Sequence, residues 1–202
     1  MTTPFKGLIA LLLAFVLFAG CRERQSKDKG AGHEHPVEAP SETTTATALS
    51  PHKTAMAMVG KAHVHIDYSA PSTRGRIIFG GLLAYGEIWQ AGAHNATWIE
   101  TDQDLVIAGK ELKAGKYGFF AIPTRDRWTL IFNTRWDQHG KDEYRPEEDA
   151  LRLEVTPQWS DTITEQLTYT VSEVGPGQGR VTLSWEKATV QFLFTLTEKE
   201  NG

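Results

Sequence analysis

Hydrophobic and polar residues alternate along most of the chain beyond residue 57. Residues 62–68 place a valine and an isoleucine on one face and His63, His65 and Asp67 on the other, which is the two-residue period of a half-buried β-strand. No segment shows sustained 3.6-residue periodicity with helix caps, so the pattern predicts an all-β protein. Comparable runs predict further strands at residues 76–79, 96–101, 105–107, 116–122, 128–133, 151–155, 166–171, 180–185 and 189–196.

Turn-forming residues separate these runs. Residues 108–110, 113–115 and 175–177 each contain glycine, and residues 186–187 leave room only for a tight turn between two strongly β-forming runs. Connections this short cannot hold crossover helices, so neighbouring strands are expected to be antiparallel. We therefore expect an antiparallel β-sandwich, or a partly open barrel, of about eight to ten short strands.

The N-terminal segment, residues 1–20, has the layout of a bacterial lipoprotein signal peptide. Lys6 precedes an apolar run at residues 8–18, and two small residues then lead into Cys21, the only cysteine of the chain. The apolar run is shorter than the ~20 residues needed to span a bilayer. A short membrane helix beside an unrelated cysteine is the alternative interpretation.

Acylation of Cys21 would hold the protein on a membrane without a transmembrane helix, and the expected acyl chains include palmitate. Arg22, rather than an aspartate, follows the cysteine. We therefore expect a lipid-anchored protein of the bacterial cell envelope, on the periplasmic inner face of the outer membrane.

Residues 21–56 are expected to form the lipidated cysteine and a disordered linker, followed by a folded domain at residues 57–198. The linker is rich in Lys, Glu, Ser, Thr, Ala and Pro, and so cannot bury enough apolar surface to offset the entropy of ordering. Its His33-Glu34-His35 tract is interpreted as solvated, because ordering a mobile tail weakens any metal affinity. The formal net charge is -4 and the basic residues are dispersed, which argues against a nucleic-acid partner.

A metal site is one hypothesis for the polar face of residues 62–68. Alternate strand residues lie about 6.5 to 7 Å apart at their Cα atoms, so His63 and His65 could share a zinc or copper ion with Asp67 beside them. A further ligand could come from His94 or His139. On the sequence alone we favour the alternative, the solvent-facing side of an edge strand, because the sequence does not place a third ligand or a second shell. No other cofactor is predicted.

Most aromatic residues have the pattern of core residues. Trp128 and Trp185 fall in predicted strands and are expected to be buried. Trp136 and Trp159 are predicted to lie in loops, where they could form a stacking platform for a sugar or close the edge of the sandwich; we favour the second interpretation.

Several segments of the chain resemble the bacterial family known as domain of unknown function 2911, and they occur in the family's order. The segments are residues 67–97, 112–123 and 128–133, and the resemblance extends from about residue 59 to residue 196. It implies an exported, often lipid-anchored, β-rich domain without an established activity. Two arginines typical of the family are replaced by Ala70 and Gln90, so anion binding through them would be lost or altered in this chain.

The most distinctive segment supplies the candidate ligand-binding residues, which are Arg76, Trp89, His94, Asn95, Thr97 and Asn133. If they surround one concave pocket, a ligand site or an enzyme is favoured. If they are buried and hydrogen-bonded at corners of the sandwich, they are structural.

An enzyme is not favoured, because the chain has no Gly-x-Ser-x-Gly, no His-Glu-x-x-His and no glycine-rich phosphate loop before a helix. Asp67, Glu87 or Glu100 could still form an acid and base pair in the folded protein. We therefore expect a non-catalytic domain that binds a small ligand or an envelope partner. The first alternative is a periplasmic hydrolase or isomerase that uses carboxylate or histidine chemistry. The second is a transition-metal-binding protein.

Overall fold

A computed structural model describes residues 49–197, which form ten β-strands and one single-turn 3-10 helix, Pro146–Glu148. Within these residues no helix is both long and apolar enough to cross a membrane. The predicted signal peptide, Cys21 and most of the linker lie outside the described residues. The strands are β1 (His52–Val59), β2 (Ala62–Ser69), β3 (Trp98–Thr101), β4 (Leu105–Ile107), β5 (Lys110–Leu112), β6 (Gly115–Ile122), β7 (Trp128–Asn133), β8 (Asp149–Val155), β9 (Gln158–Gly175) and β10 (Gln178–Leu196).

The strands form two antiparallel sheets that do not close into a barrel. The six-stranded sheet has the order β1-β2-β3-β6-β7-β8, and the four-stranded sheet has the order β5-β4-β10-β9. The expected antiparallel β-sandwich is thus confirmed. Strand β1 is an edge of the larger sheet, which leaves one side of it without a partner strand in that sheet.

The core lies between the two sheets and is built by the inward-facing residue of each alternating pair. Phe119 and Phe132 of the larger sheet meet Phe192 of the smaller one, with ring centroids between 5.3 and 6.2 Å apart. Burying a large apolar side chain stabilises a fold by roughly 1.5 to 3 kcal/mol. The buried core residues that lie within predicted strands include Val64, Ile66, Leu130, Leu167, Tyr169, Val181, Leu183, Val190 and Phe194.

A second part of the core is a cluster of large aromatic rings. Trp128 and Trp185 are buried, as predicted, and both lie within about 6 Å of Phe79. Trp89 stacks on Trp185 with a centroid distance of 5.6 Å. Trp159 contacts Phe79 from strand β9, not from the predicted loop, and its ring is partly exposed.

One predicted boundary and two predicted elements were wrong. Strand β1 begins at His52, so residues 52–56 belong to the sheet and not to the linker. Residues 76–79 do not form a strand; they lie in the long connection between β2 and β3. Residues 186–187 do not form a hairpin turn, because Glu186, at a φ of 54°, lies at a β-bulge within β10.

The outer face of the six-stranded sheet is covered at one end and open at the other. Loop residues 134–148 cross β6 so closely that a Cβ at Gly118 would lie 2.9 Å from the carbonyl oxygen of Arg135. Phe120 and Ile131 form a small second core with Ala96 under this cover. Strands β1 and β2 carry exposed and half-buried side chains on the same face.

Candidate functional site

Three of the predicted ligand-binding residues are buried and hydrogen-bonded within the fold. Trp89 donates its indole N–H to the carbonyl oxygen of Gly92 at 2.9 Å, and Thr97 donates its hydroxyl to that of Ala91 at 3.0 Å. Asn133 is fully buried and donates to the carbonyl oxygen of Arg145. Such contacts hold loops in place, as expected of structural residues at corners of the sandwich.

The other three predicted ligand-binding residues are exposed. Arg76 uses its guanidinium to donate to the carbonyl oxygens of Thr73 and Ser72, at 2.9 and 2.8 Å. His94 and Asn95 lie in a loop beside His139, with which Asn95 forms an isolated backbone bridge. The six candidates are thus divided between buried corners and an exposed loop.

Two of the three carboxylates considered for acid–base chemistry have basic partners. Asp67 accepts a hydrogen bond from His52, with an N–O distance of 2.7 Å. Glu100 lies 3.6 Å from the ammonium group of Lys116, and Glu87 is exposed in the connection between β2 and β3.

The two tryptophans considered as stacking platforms have different surroundings. Trp136 lies in a loop, as predicted, and Lys116 places its ammonium group 4.5 Å from that ring and 3.9 Å from the ring of Trp98. This intramolecular cation–π contact can stabilise the loop. Trp159 donates its indole N–H to the carbonyl oxygen of Arg125 at 2.9 Å and borders an open cleft of about 340 Å³.

Of the histidine face predicted for residues 62–68, the structure brings His63 and His65 together. Their ring centroids lie 6.0 Å apart with an interplanar angle of 46°. The Nε2 atom of His65 is buried and has no hydrogen-bond partner among residues 49–197. The ring of Trp98 packs edge-on against His65 at 5.0 Å and closes one side of this space. A buried imidazole nitrogen without a partner carries a free-energy penalty that a bound ion could relieve.

Two methionines of β1 lie on the same face as these histidines. Met58 is the cross-strand partner of His63, and Met56 is the partner of His65. Both methionine side chains are exposed, at 55% each. We name the four residues Met56, Met58, His63 and His65 the Met–His face.

From the sequence, only the histidines of the Met–His face were predicted as candidate site residues. Met56 fell inside the predicted linker, and Met58 lay just past its end, before the first predicted strand. A signal was nevertheless present, since Met56 and Met58 are two residues apart, as are His63 and His65, and a short Gly-Lys turn separates the two pairs. Among the described residues, no three His, Cys, Asp or Glu side chains are grouped as a metal site.

Comparison with known proteins identifies one family. The model of a family described as "Protein of unknown function (DUF2911)" matches residues 50–194. No curated protein and no solved structure matches the chain.

Proposed function

The chain belongs to the DUF2911 family of proteins of unknown function, and we propose that it is a non-catalytic domain that binds a transition-metal ion. The proposed ligands are the imidazoles of His63 and His65 on the open outer face of the larger sheet. Imidazole is a common ligand of zinc, copper and nickel, so the histidine pair alone does not specify one metal.

The spacing of the two imidazole rings carries this proposal. A ligating nitrogen lies ~2 Å from a metal ion and about 1 Å from its own ring centre, so two imidazoles that share an ion have centres about 5 to 6 Å apart. The observed separation is 6.0 Å. An ion shared by the two rings would give the Nε2 of His65 its missing partner.

The predicted location is compatible with this role, and we propose it as well. An acylated Cys21 would tether the domain to the periplasmic face of the outer membrane, where it could bind metal ions or deliver them to an envelope partner. Cys21→Ser should release the protein from membranes. Recovery of this variant in the membrane fraction after a high-salt wash would contradict the lipid anchor, because salt screens charges but leaves acyl anchoring intact.

Thermal unfolding of the full chain in detergent with added Zn(II) or Cu(II) tests metal binding. All proteins should carry Cys21→Ser, His33→Ala and His35→Ala, which remove the thiol and the two linker histidines. A specific site should stabilise the folded state by RT ln(1 + [L]/Kd), about 2.7 kcal/mol at a hundredfold excess over Kd. Acidification below about pH 6 should weaken the effect, since a protonated imidazole cannot ligate.

His63→Ala with His65→Ala should abolish the stabilisation. The matched control is His94→Asn with His139→Gln, which removes two exposed histidines elsewhere and should leave the effect unchanged. Asparagine suits position 94 because the backbone φ there is 60°. If the His63 and His65 variant responds to metal as the unsubstituted chain does, the proposed function is wrong.

A further inference from the structure

We infer that Met56 and Met58 complete this metal site and make it selective for Cu(I), a soft monovalent ion. The inference rests on the proposed function, because the histidine pair supplies two of the four ligands. The two thioether sulfurs would supply the others, giving a site with two nitrogen and two sulfur ligands.

The strand register brings the four side chains together. Met56 pairs with His65 and Met58 pairs with His63 across the antiparallel β1–β2 hairpin. Directly opposed residues have Cβ atoms about 4.5 to 5.5 Å apart, and their side chains leave the same face of the sheet. A methionine has three rotatable side-chain bonds, so its sulfur can reach an ion placed between the imidazoles without movement of the backbone.

The exposure of the methionines argues against a packing role. Both are 55% exposed, whereas Ala55 and Ala57, the small residues between and beside them, face the interior and are half buried. An ordinary half-buried strand has the opposite arrangement, with larger apolar residues inside and smaller or polar ones outside. Strand β1 thus presents its two sulfur-containing side chains outward, beside two imidazoles.

Each carboxylate near this face has a partner other than an ion. The carboxylate of Asp67 binds His52, and that of Asp102 accepts from the backbone N–H of His63 at 2.8 Å. Glu100, which lies opposite His65 on β3, faces the ammonium group of Lys116 at 3.6 Å. The donors that remain on the Met–His face are neutral nitrogen and neutral sulfur. Thioether ligands favour Cu(I), whereas carboxylates and water favour harder divalent ions. Four neutral ligands also leave only a single positive charge at the site when Cu(I) is bound.

Silver is a suitable probe, since Ag(I) is soft and monovalent like Cu(I) but is not oxidised by air. We would measure Ag(I) affinity for the full chain by competition with a chelator, in the same Cys21→Ser, His33→Ala, His35→Ala background. In that background Met56 and Met58 are the only sulfur-containing residues apart from Met1, which all variants share. Cu(I) binding under anaerobic reducing conditions repeats the measurement with the proposed ion.

Met56→Leu with Met58→Leu keeps the apolar volume and removes both sulfurs. We expect Ag(I) and Cu(I) affinity to fall by at least about tenfold, since even the loss of a residue that only supports a ligand lowers affinity 10–100-fold. Affinity for Zn(II) through His63 and His65 should stay within about twofold. X-ray absorption of the Cu(I) form should show sulfur neighbours at ~2.3 Å in the unsubstituted protein and none in the leucine variant.

The outcomes separate the two proposals. Equal Ag(I) and Cu(I) affinity in the leucine variant would overturn the role of the methionines and leave histidine binding intact. Equal affinity in the His63→Ala, His65→Ala variant would overturn the proposed function itself. Leucine should preserve folding at these exposed positions, so an unchanged unfolding midpoint without metal is expected of the leucine variant and excludes misfolding as the cause of lost affinity.

Discussion

The side chain of Asn133 donates a hydrogen bond from Nδ2 to Oδ1 of Asp149, at 2.7 Å. The same nitrogen donates to the carbonyl oxygen of Arg145, and Oδ1 of Asn133 accepts from the backbone N–H of Arg135. The remaining carboxylate oxygen of Asp149 accepts from the hydroxyl of Tyr144. Asn133 thus fixes both ends of the loop that crosses the outer face of the larger sheet.

Asn133→Ala should therefore destabilise the fold by about 2 to 3 kcal/mol, since it removes three hydrogen bonds made by a fully buried side chain. Denaturant unfolding measures this. Asn95→Ala is the matched control, because Asn95 is exposed, and its effect should stay within about 0.5 kcal/mol. Similar losses for both variants would contradict the structural role of Asn133.

A buried tyrosine should make the protein sensitive to alkali. Tyr169 donates its hydroxyl to the carbonyl oxygen of Ala91 at 2.7 Å, and burial raises its pKa well above the ordinary value. A group with a raised folded-state pKa stabilises the fold below its unfolded pKa, about 10 for tyrosine, and this contribution is lost as pH rises further. Unfolding free energy should thus fall above pH ~10.

Phenolate absorbance tests this expectation. Ionisation of Tyr169 should coincide with unfolding, and Tyr169→Phe should flatten the alkaline dependence while removing one hydrogen bond worth about 1 kcal/mol. Burial also raises the pKa of Tyr68, so some alkaline sensitivity should persist in the variant. An identical pH dependence in both proteins would count against the assignment to Tyr169.

The alternation of hydrophobic residues was sufficient to predict the sandwich, but not the place where it begins. Residues 62–68 carry strong contrast between their two faces, so β2 was correctly predicted. In β1 the contrast is inverted, because alanines face inward and Met56 and Met58 face outward. Hydrophobic periodicity cannot identify such a strand, and the inversion is one of the observations on which we base the proposed metal site.

The candidate ligand-binding residues illustrate a different limit. Trp89, Thr97 and Asn133 occur in a distinctive segment or strand end, and residue type alone does not distinguish a ligand contact from a buried loop contact. Their hydrogen bonds to backbone carbonyls depend on the paths of the irregular β2–β3 and β7–β8 connections, which hydrophobic periodicity does not predict. Glu186 was misread for a related reason, since a bulge and a hairpin turn both interrupt a β-forming run locally.

Gly179 is required by close packing against the core. A Cβ there would lie 2.0 Å from Cζ of Phe194, on a rigid ring in the interior. Gly179→Ala should therefore destabilise the protein by roughly 1 to 3 kcal/mol through overpacking. Gly175→Ala is the control, because its added Cβ would meet the flexible end of Gln178 at 3.3 Å. Adding Phe194→Leu to Gly179→Ala should recover part of the loss; complete additivity of the two changes would argue against a direct clash.

Truncation tests the start of the folded domain and the site together. A chain that begins at Leu49 keeps the whole of β1. The composition of the removed linker predicts that it buries little apolar surface, so the shortened chain should unfold at a temperature close to that of the longer chain.

A chain that begins at Ala57 loses five of the eight residue pairs between β1 and β2, together with the Lys53 contact to Gln166 and the His52 contact to Asp67. We expect it to be less stable by at least about 2 kcal/mol, since strand hydrogen bonds contribute ~1 kcal/mol each. It also exposes β2 as a new edge, which favours aggregation.

Because Met56 is removed while His63 and His65 remain, Ag(I) affinity should fall more than Zn(II) affinity. Equal unfolding temperatures for the two chains would show that β1 contributes little to the fold.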